Sequence, residues 1–223
     1  MKLARVVPIG RSLDEYERMF RLSDRDRAGA ILGAGDGPAS FNAELTRAGG
    51  SVVSIDPIYA LPPAEIAASF DASFDAVFAQ VDATPDAWSW TYHPSPAALR
   101  EHRRRTFRAF EADLAAGLAA GRYVAAELPA LPFPDHRFDL ALCSHLLFLY
   151  SEQLDAAFHV AAILELLRVA REVRIFPLHT LANVPSPHLE PVTRALEARG
   201  RRVTRERVDY ELQKGANEML RAG

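Results

Sequence analysis

Apolar residues in this chain follow two rhythms. Short continuous runs, AILGA at 30–34, SVVSI at 51–55, RYVAAEL at 122–128, FDLALC at 138–143 and REVRIFPL at 171–178, are bounded by glycine, proline or charge and predict buried strands. Between them apolar side chains recur at helical spacing: Leu13, Tyr16 and Phe20; Phe41, Leu45 and Ala48; Leu154, Phe158, Ala161, Leu164 and Leu167. PHLEPVTRALEARG adds a late helix, and RRVTRERVDYELQ with NEMLRA predicts two closing strands joined around Lys214, Gly215 and Ala216. One alternating series of strands and helices before a closing hairpin predicts a doubly wound α/β fold, with a mostly parallel sheet and helices on both faces.

Local punctuation sharpens the boundaries. Ser12 followed by Glu15 is a capping-box signature, and Ser23 is placed to cap a second short turn. Pro38 suits a first helical position, because the amide it lacks would be unsatisfied there, and Gly49 and Gly50 suit that helix's end. Ser95 with Pro96 predicts the start of a long helix that stops at Gly121; Ser151 is the predicted cap of the helix before REVRIFPL, and Gly200 ends the last one. The stretch after Asp56 predicts one or two helices. The result is a single domain over residues 1–223, with a helical lead-in at 1–28 and a helical insertion at 84–121 expected to cover the cleft. Trp88, Trp90 and Tyr92 in that insertion could wall a pocket, and Arg103, Arg104 and Arg105, about 100° apart around a helix, read as a solvated face.

Composition narrows the function classes. With 49% hydrophobic and 25% charged residues the chain is ordinary globular material, and a net charge of -3 gives no general attraction to nucleic acid or an anionic membrane. The N-terminus has no apolar core of signal-peptide length, and no run approaches the ~20 apolar residues of a membrane span, so a cytoplasmic protein is expected. The single cysteine, Cys143, lies in an apolar run and reads as a buried core thiol. The seven histidines form no HExxH, one cysteine cannot build a multi-cysteine zinc site, and neither a G-x-S-x-G elbow nor a phosphate loop is present, so no metal is expected.

Candidate chemistry lies where the first strand meets the first helix. Gly33, Gly35 and Gly37 allow a tight turn whose backbone a ligand can approach, and Asp56, ending the second strand, can accept from a nucleoside's ribose hydroxyls. A dinucleotide fingerprint started at Gly33 would put Pro38 at its third glycine, which weighs against an NAD-dependent oxidoreductase. G-A-G-D-G-P instead resembles motif I of the class I S-adenosylmethionine-dependent methyltransferases, (D/E)-x-G-x-G-x-G; Gly33 stands at its acidic position, Ala39 at its third glycine, and Asp36 or an N-terminal residue can substitute for the acid. LPALPFPDHRFD resembles that family's D-A-x-x-L-P-F-x-D-x-x-F-D block, with Glu127 on the acid that accepts the adenine amino group.

The resemblance implies a seven-stranded sheet with an antiparallel last strand, S-adenosyl-L-methionine as cofactor, and a small-molecule methyl acceptor. It assigns cofactor binding to Gly33, Ala34, Gly35, Asp36, Gly37, Asp56, Pro57, Glu127, Leu128 and Ser144. His145, directly after the fourth strand, is the candidate catalytic base, with a cleft-shaping histidine as the alternative. Tyr150 is a weaker candidate, Tyr59 could stack on adenine or pack in its loop, and Tyr16 and Met19 could cover the cleft or pack on the sheet. SHLL in place of N/D-P-P-Y disfavours a nucleic-acid substrate. A noncatalytic cofactor-binding module is the remaining alternative, because the motif I acid is missing.

Overall fold

A computed structural model describes residues 1, 3 and 6–223; that part of the predicted lead-in falling on residues 2, 4 and 5 lies outside the described residues. Two short helices, α1 (Leu13–Phe20) and α2 (Asp24–Ala28), come first, each opened by a capping box: Ser12 with Glu15, and Ser23 with Asp26. Then follow β1 (Ala30–Ala34), α3 (Phe41–Arg47), β2 (Ser51–Ile55), a 3₁₀ turn (Pro57–Ala60), α4 (Pro63–Ala83) and α5 (Pro96–Ala119). The chain continues through β3 (Tyr123–Val124), β4 (Phe138–Ser144), α6 (Ala156–Val169), β5 (Ala170–Phe176), α7 (Leu189–Glu197), β6 (Val203–Arg207) and β7 (Glu218–Ala222).

The strands form one seven-stranded sheet in the order β3-β2-β1-β4-β5-β7-β6, and β7 runs antiparallel to both of its neighbours. This is the arrangement the resemblance implied. Both faces are covered: along β4, Leu140 and Leu142 join one apolar cluster with α1, α3, α4 and α5, while Ala141 and Cys143 join another with α6 and α7. Period-two alternation sends successive side chains to opposite faces, so a strand buried on both sides must be apolar on both, as Leu140 to Cys143 are once the exposed Asp139 is passed. No helix among the described residues is long and apolar enough to cross a membrane.

Several boundaries differ from expectation. Pro38 does not open a helix; α3 begins at Phe41, whose amide donates to the Arg11 carbonyl, and Gly37 with φ 55° holds the preceding residues in a turn. β3 stops at Val124, because its neighbour β2 ends at Ile55 and offers no further backbone to pair with. Glu127 therefore does not end a strand but lies in the turn beyond it. The cap of α6 is Asp155, which accepts from the Phe158 amide; the Ser151 hydroxyl is engaged with the Phe148 carbonyl and Ser186. The insertion between β2 and β3 begins well before residue 84, since α4 belongs to it. The loop between β6 and β7 is longer than a hairpin turn and buries Tyr210, Leu212 and Ala216.

Candidate active site

Register brings the chemistry to one edge. Ala34 pairs with Ile55 on one side and Cys143 on the other, so β1 and β2 end level, β4 runs one residue further, and Gly35, Asp56 and Ser144 come to the same edge of the sheet. Open α/β sheets place ligands at this carboxyl edge. A cavity of about 610 Å³ lies there, within the usual range for a small-molecule site. Gly35, Asp36, Gly37, Asp56, Pro57, Glu127, Leu128, Ser144 and His145 all line it. Gly33 and Ala34 do not; they remain in β1, below the turn.

The glycine turn is locked to the ribose carboxylate candidate. Gly37 and Ile58 amides donate to the two oxygens of Asp56 at 2.9 and 3.0 Å, and the Tyr59 hydroxyl donates to the Gly37 carbonyl at 2.7 Å. Burial raises the Asp56 carboxyl pKa against those two amide bonds. Tyr59 is packed against Phe110 and Tyr123 and does not line the cavity, so it is a loop-packing residue and not an adenine platform.

Asp36 answers the departure at Gly33. A Cβ built on Gly33 would stand 1.9 Å from Asp36 Oδ2, so the carboxyl group fills the space a side chain at position 33 would need. The Tyr16 and Ser54 hydroxyls each donate to it at 2.6 Å, and no cation pairs with it among the described residues. Burial pushes its pKa up to about 7, against those hydrogen bonds. The departure at Ala39 has a similar answer: Gly10 of the lead-in passes over it, and a Cβ on Gly10 would lie 2.3 Å from the Ala39 Cα. The close approach that motif I obtains from its third glycine is met here by a glycine from another segment.

His145 stands directly after β4 with φ 56° and lines the cavity. Its Nδ1 lies 2.8 Å from the Ser144 hydroxyl, which itself can donate to the Met19 sulfur at 3.9 Å. With Ser144 donating to sulfur, Nδ1–H donates to Ser144 and Nε2 carries the lone pair. Burial, then Arg11 and Arg103, hold the imidazole pKa well below the ordinary histidine value, so the ring is neutral. Tyr16 lines the cavity while also stacking on Phe41, whereas Met19 is wholly buried in the core. Tyr150 lines the cavity too, with its hydroxyl accepting from the Val7 amide.

Arginine 103 departs most from expectation. It is 3% exposed and forms a two-pronged pair with Glu15, itself 0% exposed, at 2.7 Å on both oxygens. Tyr210 and the Ser12 amide also donate to Glu15, and His93 and His102 lie beside it. α1, α5 and the β6–β7 connection thus meet at one buried carboxylate above the cleft. Arg11, also on the cavity wall, carried no signal in the sequence beyond preceding the capping box. The LPFPD block is scaffold: Arg168 holds the Phe133 and Leu131 carbonyls and the Asp135 carboxylate, and none of these three residues lines the cavity.

No family model matches the chain. It is 32% identical over 221 residues to the uncharacterized protein MJ0045 of Methanocaldococcus jannaschii, covering 99% of this chain and 97% of that one. The chain belongs to that protein's family. Similar solved structures include magnesium protoporphyrin IX methyltransferase (ChlM) from Synechocystis PCC 6803 with bound SAH, at 13% identity, 94% and 80% coverage and TM-score 0.49. The PH0226 protein from Pyrococcus horikoshii OT3 is similar at 11% identity, 95% and 88% coverage and TM-score 0.49. A SAM dependent methyltransferase from Aquifex aeolicus is similar at 15% identity, 87% and 81% coverage and TM-score 0.44. At such identities the functional reading has to rest on the cavity itself.

Proposed function

We propose that this protein is an S-adenosylmethionine-dependent methyltransferase acting on a small molecule. The observation that carries the reading is the convergence of the glycine turn, Asp56 and Glu127 on one cavity at the carboxyl edge of the sheet. The residues fit that cofactor. Asp56 keeps lone pairs free for two ribose hydroxyls while its backbone bonds hold it in place, Glu127 is exposed on the cavity wall and can accept from an adenine amine, and Asp36 is a buried carboxyl without a cation. The amino-acid end of the cofactor supplies an ammonium group for Asp36.

When bound, the cofactor supplies a methyl group on a sulfonium, which is already a good leaving group. The protein's own work is then to exclude water and align an acceptor. The apolar wall of Leu146, Leu149, Phe176 and Leu212 excludes water, and neutral His145, in the tautomer that donates from Nδ1 to Ser144, can take a proton from an acceptor at Nε2. Calorimetric titration with S-adenosylhomocysteine and with NAD tests the assignment. Micromolar or tighter binding of the former with none of the latter is expected; binding of NAD alone overturns it.

A further inference from the structure

The cavity wall carries three carboxyl groups, Asp36, Asp56 and Glu127, and two cations near His145, Arg11 of the lead-in and Arg103 of α5. Arg103 is neutralised by Glu15, but Arg11 forms no ion pair with any carboxylate among the described residues. Its Nη1 donates to the Ile9 carbonyl at 2.5 Å and to that of Gly10 at 3.4 Å; among the described residues, buried Nε has no hydrogen-bond partner and Nη2 makes no hydrogen bond. A half-buried cation whose Nε is sealed from solvent without a partner is costly unless a ligand completes it, and a guanidinium is shaped to take a carboxylate on two donors. Burial and the neighbouring Arg103 lower its pKa, as expected for a cation lacking its counter-charge.

We propose that Arg11 anchors a carboxylate that enters this cavity. The carboxylate belongs either to the amino-acid end of the cofactor, which rests on the function proposed above, or to the methyl acceptor. Both supply the same chemistry, an anion for the guanidinium in a cavity whose Asp56 and Glu127 carboxylates accept from hydrogen-bond donors elsewhere on the ligand.

Calorimetry on the full chain separates the sources. S-adenosylhomocysteine and 5′-methylthioadenosine share the adenosine end, and only the first carries a carboxylate. Arg11→Gln should weaken S-adenosylhomocysteine roughly ten- to a hundredfold with methylthioadenosine unchanged if the cofactor supplies the anion. If the acceptor supplies it, both nucleosides bind Arg11→Gln as they do the wild type. In that case a panel of aromatic carboxylic acids, titrated with and without S-adenosylhomocysteine, outbinds the matching primary amides in the wild type and loses that preference in the variant. An Arg11→Gln protein that keeps both nucleoside affinities and shows no altered preference for acids overturns the proposal. So does equal weakening of both nucleosides, which marks Arg11 as structural. A wild type binding neither nucleoside removes the cofactor reading, and the acid series without nucleoside then decides the role of Arg11 alone. Arg11→Lys, which keeps charge but not the fork, gives the same pattern at smaller amplitude should Arg11→Gln fail to fold.

Discussion

Glu15→Gln is the substitution whose consequence the structure defines best. In the native protein the Glu15 carboxylate accepts both Arg103 prongs at 2.7 Å, the Tyr210 hydroxyl at 2.7 Å and the Ser12 amide at 3.0 Å. Burial alone would raise its pKa, but Arg103 with the two imidazoles holds it well below the usual carboxylate range. A depressed carboxyl contributes its stability fully above the unfolded value and loses it only as pH falls through the folded one, so the pair is intact throughout the neutral range. Glutamine keeps the shape, removes the charge and leaves Arg103 as an uncompensated buried cation. Removing one partner of such a pair costs about 3–5 kcal/mol, against about 5–15 kcal/mol for a whole domain. At roughly 2–4 °C per kcal/mol for a chain of this size, the melting temperature should fall by about 6–20 °C. Urea unfolding reads the same loss as a lower midpoint with an unchanged slope. Adding Arg103→Met removes the stranded cation, so the double variant should recover part of the loss. A single variant within about 1 kcal/mol of wild type, or a double variant that loses the sum of the two singles, refutes the reasoning.

Asp56→Ala should weaken S-adenosylhomocysteine binding roughly ten- to a hundredfold by calorimetry and Glu127→Ala should fall at the low end, since each removes charge-assisted hydrogen bonds of about 1.5–3 kcal/mol; unchanged affinity in Asp56→Ala would count against the cofactor assignment. Asp36 titrates at about 7 when free; if a ligand ammonium keeps it ionised, binding releases a proton, so affinity rises with pH up to about 7 and then levels off. Asp36→Asn should flatten that slope. His145→Ala should depress turnover and leave cofactor affinity nearly intact, measured by initial rates beside calorimetry, because only a transition-state interaction is lost. Hydrogen exchange should slow in the lead-in and around 85–93 and 208–217 when S-adenosylhomocysteine binds, and equal protection with and without it would make these segments scaffold.

The parts of this fold legible in the sequence are those fixed by local rules. The capping box at Ser12 closes as its spacing predicts, Ser23 and Ser95 cap α2 and α5, and the apolar runs around Ile31, Val53 and Leu140 become strands. What was not legible depends on residues far apart in the chain. RYVAAEL looks long enough for a full strand, yet pairing stops where β2 stops, and only Tyr123 and Val124 find a ladder. Pro38 looks like a helix opener, but the helix starts where the Phe41 amide meets the Arg11 carbonyl, 30 residues earlier in sequence. Arg103 within an arginine run reads as solvated because its partner is 88 residues away and contributes nothing to local charge patterning. The same limit governs the site. Position 33 of motif I looks empty when the motif is read along the chain, because an acid is expected on β1 itself. A positive φ of 67° at Gly35 turns the backbone so that Asp36 folds its carboxyl back over Gly33, where only a residue without a side chain leaves room. The glycine at position 33 therefore leaves room for a carboxyl supplied from three residues on, and that carboxyl, held by Tyr16 and Ser54, ties the cavity wall to α1 of the lead-in.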